Sequence, residues 1–122
     1  MIKKVFEKKS NKKVRKVSKK FWDKEYVDPR HLKLSVEPSG DLLKFFRWNE
    51  RQKEMLVLDR KSLVVDLGCG NGRNIIHITT HTGATGYACD ISGSAVAQAK
   101  AASVVDKKIL PITYEVRSVA GT

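Results

Sequence analysis

Asp66, Gly68, Gly70, Gly72 and Asp90 are the residues of this 122-residue chain whose types and spacing could do chemistry. The three glycines recur at two-residue intervals directly after an acid, in the run Asp66-Leu67-Gly68-Cys69-Gly70-Asn71-Gly72. Glycine permits a tight turn and lets a ligand approach bare backbone. A helix starting just beyond such a loop, from about Arg73, offers unpaired N–H groups and the positive end of its dipole. A second acid, Asp90, follows Gly70 by 20 residues. At the tip of a neighbouring strand, an acid at that distance accepts hydrogen bonds from ribose hydroxyls. Loop, helix and second acid together describe a site for a nucleoside-type ligand.

Such residues need a sheet to hold them. Leu63, Val64, Val65 and Leu67 form an unbroken apolar run around Asp66, which reads as a strand buried on both faces. Arg73 to His81 is expected to be a crossover helix presenting Ile75, Ile76 and Ile78, ended by Thr82-Gly83. Gly86 to Asp90 reads as a second strand, Ser94 to Ser103 as a helix, and Ile112 to Val116 as a third strand. Ser92 and Ser94 are expected to cap that second helix, and Arg73 and Asn74 to take capping and surface roles ahead of ligand contact. This βαβαβ alternation predicts an α/β fold, a Rossmann-like parallel sheet with right-handed crossovers and helices on both faces. Upstream, Ser39 caps an amphipathic helix from Gly40 to about Glu54, whose Leu42, Leu43, Phe45, Phe46 and Trp48 are expected to lie on the sheet. Phe21, Trp22 and Tyr26 open the segment 21–62. Trp22 and Tyr26, four apart, pack one side of a helical turn, and Asp28-Pro29 and Glu37-Pro38 break the chain after that turn.

Charge divides the chain unevenly. Residues 1–20 hold ten Lys or Arg against Glu7 alone, so +9 of the net +11 lies there. A solvated, partly disordered basic arm with some helical tendency is expected, with contact to RNA or another polyanion as the alternative. No apolar run is long enough to span a membrane, and the amino terminus has no apolar core of a secretory signal. Cys69 and Cys89 form no C-x-x-C pair; free thiols in a reduced, cytoplasmic protein are expected. His77 and His81 are four apart on a helix, but HITTH lacks the glutamate and third ligand of a zinc site, so no metal is expected.

The dinucleotide fingerprint puts two residues before its last glycine, whereas one, Asn71, stands here. A nicotinamide-type Rossmann domain is therefore the alternative, as is a basic nucleic-acid-binding protein without enzymatic activity. The spacing D-x-G-x-G-x-G resembles motif I of the class I S-adenosylmethionine-dependent methyltransferases. The resemblance covers about residues 63 to 120, and the short Trp22-Asp23-x-x-Tyr26 stretch is similar to segments that fold over the cofactor pocket in that family. It implies S-adenosyl-L-methionine as cofactor and methyl transfer by direct displacement. It further implies Asp66 holding the methionine end, Leu67, Gly68, Cys69, Gly70 and Gly72 as the loop beneath it, and Asp90 on the ribose. Ile91 falls at the adenine, and Ser118 stands where relatives carry an acid for the adenine amino group. Catalytic residues are unassigned, because in the family they come after a fourth strand. The family sheet has seven strands and this chain supplies about three. The cofactor half over 63–122 is thus expected to be truncated or completed by a partner chain. The acceptor is expected to be a small molecule, with RNA as the alternative through the basic arm.

Overall fold

The computed structural model describes residues 12–27 and 35–118. Its elements are α1 (Lys12–Val27), α2 (Gly40–Arg51), β1 (Leu63–Leu67), α3 (Arg73–Thr82), β2 (Thr85–Asp90), α4 (Gly93–Ala102), β3 (Val104–Val105), β4 (Lys108–Ile109) and β5 (Ile112–Val116). Strands β1, β2 and β5 form a parallel sheet in that order, with Val64 beside Gly86 and Gly86 beside Ile112.

Both crossovers step the same way along the sheet. Two right-handed crossovers in one direction put their helices on one face. Accordingly α3 and α4 cover the face of Val64, Ala88 and Ile112. Ile75, Ala88 and Cys69 form the buried centre, with Val64, Ile76, Ile112 and Tyr114 packed against it. Gly86 is where α3 presses hardest: a Cβ there would lie 3.1 Å from Ile75 and 3.2 Å from Ile112. On the opposite face Leu63, Val65 and Leu67 remain 64%, 53% and 59% exposed. Helices on both faces are therefore met on one face alone among the described residues.

Two expectations about elements need correcting. The basic arm does not stop at residue 20, because α1 runs from Lys12 through the aromatic cluster to Val27 without a glycine or proline to break it. Residues 1–11 and the Asp28-Pro29 break lie outside the described residues. Helix α2, capped by Ser39 Oγ accepting from Leu42 N at 3.2 Å, does not lie on the sheet. It meets the flank of α3 through Phe46 against His77, ring centroids 5.9 Å apart. After it comes a turn that the buried Asn49 side chain holds, donating to Leu56 O at 2.7 Å and accepting from Leu56 N at 2.9 Å. A small antiparallel hairpin, β3–β4, turns at Asp106-Lys107, both at positive φ.

Candidate functional site

The site begins where β1 ends. Gly68, Gly70 and Gly72 take φ of +81°, +57° and +81°, a region open to glycine and costly for residues with a Cβ. The loop is pinned to the tip of β2: Gly68 N and Cys69 N both donate to Cys89 O, at 2.8 and 2.9 Å. Gly70 N donates to Asp90 Oδ2 at 2.9 Å, and Ser92 N donates to Asp90 Oδ1 at 2.9 Å. Asp90 is thus a strut between the loop and the start of α4, a role its spacing alone did not disclose. With those N–H groups committed inward, the loop offers its bare Cα face outward; a Cβ at Gly68 would meet nothing within 4 Å.

That face floors a cleft of about 340 Å³ lined by Asp66, Gly68, Cys69, Gly70, Asn71, Arg73, Asn74, Ser35, Trp22 and Tyr26. Of the sequence-predicted residues, the cleft brings together Asp66, Gly68, Cys69 and Gly70. Gly72 serves packing instead: it is the N-cap of α3, and a Cβ there would lie 2.9 Å from Ala99 and 3.1 Å from the Tyr114 hydroxyl. Leu67 ends β1 on the exposed face, Ile91 follows β2 half-buried, and Ser118 follows β5 half-buried; none of the three lines the cleft. Arg73 and Asn74 do not cap α3. Arg73 donates to Glu37 O at 3.3 Å and Asn74 Oδ1 accepts from Ser39 N at 2.8 Å, so the pair fastens the approach to α2 against the cleft. Asn71 adds a bond to Ser35 O at 2.9 Å.

Helix α1 closes one side. Asp23 reaches α4, its Oδ1 accepting from Ser92 Oγ at 2.6 Å and from Ser94 N at 3.2 Å while Lys19 pairs with Oδ2 at 2.7 Å. Burial works against this carboxylate's charge, yet the bonds from Lys19, Ser92 and Ser94 prevail and hold its pKa at about 2. Gln98 donates to Tyr26 O at the end of the same helix. Tyr26 thereby lays its hydroxyl over Gly70, where any Cβ would collide with it. Its phenol is raised by burial and then by the charge of Asp90. The i, i+4 pairing of Trp22 and Tyr26 was the sequence signal for this wall.

The electrostatics favour a ligand with a cationic or hydrogen-bond-donating end. Asp66 receives no hydrogen bond from the described residues, and burial, then the charge of Asp90, raises its carboxyl above the ordinary range. A half-buried acceptor of that kind gains from a donor that the described residues do not provide. Cys69 is no nucleophile: burial, then Asp90, Asp66 and Cys89, push its thiol up to about 12. Both cysteines are buried and free. Away from the cleft, His81 turns Nδ1 to His77 O at 2.9 Å, and the two rings stack 4.1 Å apart on the flank facing Phe46.

No protein-family profile and no curated protein matches the chain. Solved structures do. Phosphoethanolamine N-methyltransferase 1 of Haemonchus contortus, solved with phosphoethanolamine and S-adenosylhomocysteine, is 21% identical, with a TM-score of 0.55 over 89% of this chain and 22% of that one. Magnesium protoporphyrin IX methyltransferase of Synechocystis PCC 6803, with bound S-adenosylmethionine, is 18% identical, with a TM-score of 0.54 over 85% and 54%. An S-adenosylmethionine-dependent methyltransferase of Anabaena variabilis is 18% identical, with a TM-score of 0.52 over 84% and 38%. The chain spans between about a fifth and about a half of these proteins. Its fold is that of part of the class I S-adenosylmethionine-dependent methyltransferases.

Proposed function

We propose that this chain is the cofactor-binding part of an S-adenosylmethionine-dependent methyltransferase. One observation carries the reading: a glycine loop that presents bare backbone beside a half-buried Asp66 carboxylate that receives no donor from the described residues. Asp66 would accept from the ammonium at the methionine end, above the loop of Leu67, Gly68, Cys69, Gly70 and Gly72. Asp90 keeps lone pairs for the ribose after serving Gly70 and Ser92. Ile91 and Ser118 are the residues proposed for the adenine. When bound, the cofactor supplies an activated sulfonium methyl, which an acceptor nucleophile takes by direct displacement. The chain's own work is to bind and orient: the loop fixes the backbone, and Trp22 and Tyr26 wall off water.

In this reading residues 63–122 form the cofactor half and 21–62 its covering segment, with strands from elsewhere in the protein or from a partner chain completing the sheet. Buried free thiols agree with a cytoplasmic setting, and among the described residues no helix is long and apolar enough to cross a membrane.

A thermal melt of the full chain with S-adenosylhomocysteine tests the cofactor reading. Ligand at about 100 times its Kd adds roughly 2.7 kcal/mol, a rise of several degrees at least. Asp66→Asn, which disturbs no hydrogen bond among the described residues, should keep the parent's melt and lose most of the rise. A cooperative melt unmoved by S-adenosylhomocysteine, or one raised by NAD+ instead, would overturn it.

A further inference from the structure

Strand β1 is an edge of the sheet among the described residues, and its bonding pattern fixes which of its residues face outward. At its two ends Thr85 N donates to Ser62 O at 2.9 Å and Gly68 N to Cys89 O at 2.8 Å. In a parallel ladder the residues that bond to one neighbour alternate along the strand. Val64 and Asp66 therefore take the bonds between those two, and Leu63, Val65 and Leu67 turn N–H and C=O toward the free edge. Nothing pairs with these groups among the described residues. The same three residues carry their side chains on the open face, each more than half exposed. Natural edges are kept apart by lysine, proline or a bulge. Leu63–Leu67 holds neither residue type, and its register with β2 runs unbroken. The far side of the open face differs. There Glu115 of β5 accepts from the Tyr87 hydroxyl at 2.8 Å and lies 3.6 Å from Arg117, so charge stands on that edge.

A partner for the β1 edge needs an apolar residue at every second position, with its own N–H and C=O groups free at those positions. A second copy of β1 meets both needs. A two-fold axis sets the copies antiparallel, and only registers that oppose outward residues to outward residues close hydrogen bonds. With Val65 on the axis, Val65 opposes Val65, and Leu63 of each copy opposes Leu67 of the other. Every open-face pair is then apolar, directly opposed and joined by reciprocal N–H···O bonds. The neighbouring two-fold registers are worse. With Val64 on the axis, Leu67 opposes Lys61; with Asp66 on the axis, two carboxylates oppose each other, which is destabilising. A slip of one residue sets outward groups against groups already bonded to β2. The run Leu63-Val64-Val65-Asp66-Leu67 thus specifies a single self-complementary register.

We infer that β1 pairs with β1 of a second copy of this chain, antiparallel about Val65, so that two three-stranded sheets become one continuous sheet. The pairing satisfies the outward N–H and C=O groups of Leu63, Val65 and Leu67 and joins the two apolar strips across the seam. Asp66 then stands beside Val64 of the second copy, with no like charge directly opposite. Because the copies run in opposite directions, their clefts, each beyond the C-terminal end of its own β1, open at opposite ends of the seam. The inference goes beyond the cofactor reading and does not depend on what the cleft binds.

Sedimentation and cysteine cross-linking of the full chain test it. Val65→Cys puts a thiol on the axis, where opposed Cα atoms lie about 5.5 Å apart, within the span of a disulfide. Oxidation with copper phenanthroline should convert most of V65C to a dimer on a non-reducing gel. L63C alone should not cross-link, because its two copies stand four residues apart in register, about 13 Å. L63C mixed with L67C should. The parent, whose Cys69 and Cys89 are buried, is the blank. In sedimentation the parent should reach a dimer, and V65K, which sets like charges opposite each other, should raise the dimer Kd at least tenfold. V65K should keep the parent's circular dichroism; if it does not, the cysteine variants decide alone. A parent that stays monomeric at hundreds of micromolar would overturn the inference. So would a dimer indifferent to a folded V65K, or L63C cross-linking to itself while V65C does not. The S-adenosylhomocysteine melt takes no part in this test. A monomeric parent with a retained shift removes the pairing alone, and a cross-linked V65C without a shift in the parent removes the cofactor alone.

Discussion

Asp90 has two carboxylate oxygens, and the fold engages both, one on Gly70 N and one on Ser92 N. Hydrogen bonds to a charged acceptor are worth about 1.5–3 kcal/mol each, and losing the acceptor strands their donors. Asp90→Ala should therefore lower the urea midpoint by an amount equal to at least about 2 kcal/mol, with no ligand present. The glycines separate in the same assay. Gly68→Ala meets open space and bears only the positive-φ strain, about 1 kcal/mol; Gly72→Ala adds a collision with Ala99 and should cost about 2–4 kcal/mol. Cys69, its thiol near 12, should resist iodoacetamide at pH 8 in the native chain and react promptly in urea. Glycine spacing and both acids were legible in the sequence because they are local signals. That Asp90 braces the loop and Gly72 packs against α4 was not, since each depends on contacts across 20 residues or more.

At the scale of elements, α1 is the part composition defined least. Lysine density looks like a solvated arm, and nothing in residues 12–20 says that Asp23, a few residues on, will find Ser92 and Ser94. Once it does, the helix has an anchor whose strength follows its ionisation. The carboxyl sits near 2 in the folded chain against an ordinary 3.8. A depressed acid adds stability above its unfolded value and loses it as pH falls through the folded one. Docking of α1 should accordingly hold above about pH 4 and weaken between pH 4 and 2. The emission of Trp22 in a Trp48→Phe background reports it, and Asp23→Asn should show the weakened state already at pH 7. The hairpin β3–β4 escaped notice for a different reason. Its turn, Asp106-Lys107, takes positive φ at both residues without the glycine that advertises such turns. The βαβαβ order needed no such help, because apolar strand runs and helix stops recur at full length along the chain.

Taken as a whole, the described residues give the sheet one covered face and one open one. Leu63, Val65 and Leu67 stand exposed on β1, a strand whose outer edge also lacks a neighbour among the described residues. Such an edge invites pairing with other chains, and a charge placed on it discourages this. Sedimentation of the chain should show association rising with concentration, and Val65→Lys should reduce it while leaving the melt within about 0.5 kcal/mol of the parent. The direction of synthesis gives another consequence to the Asp23 anchor. Asp23 and Ser92 are 69 residues apart. At about 5–20 residues per second, a ribosome completes α1 some 3–14 s before its docking partner exists. During that interval α1 has its aromatics and its capping acid without their folded neighbours. A short cationic helix emerging first, beside the anionic ribosomal and messenger RNA, is in effect presented to nucleic acid before it is presented to its own protein.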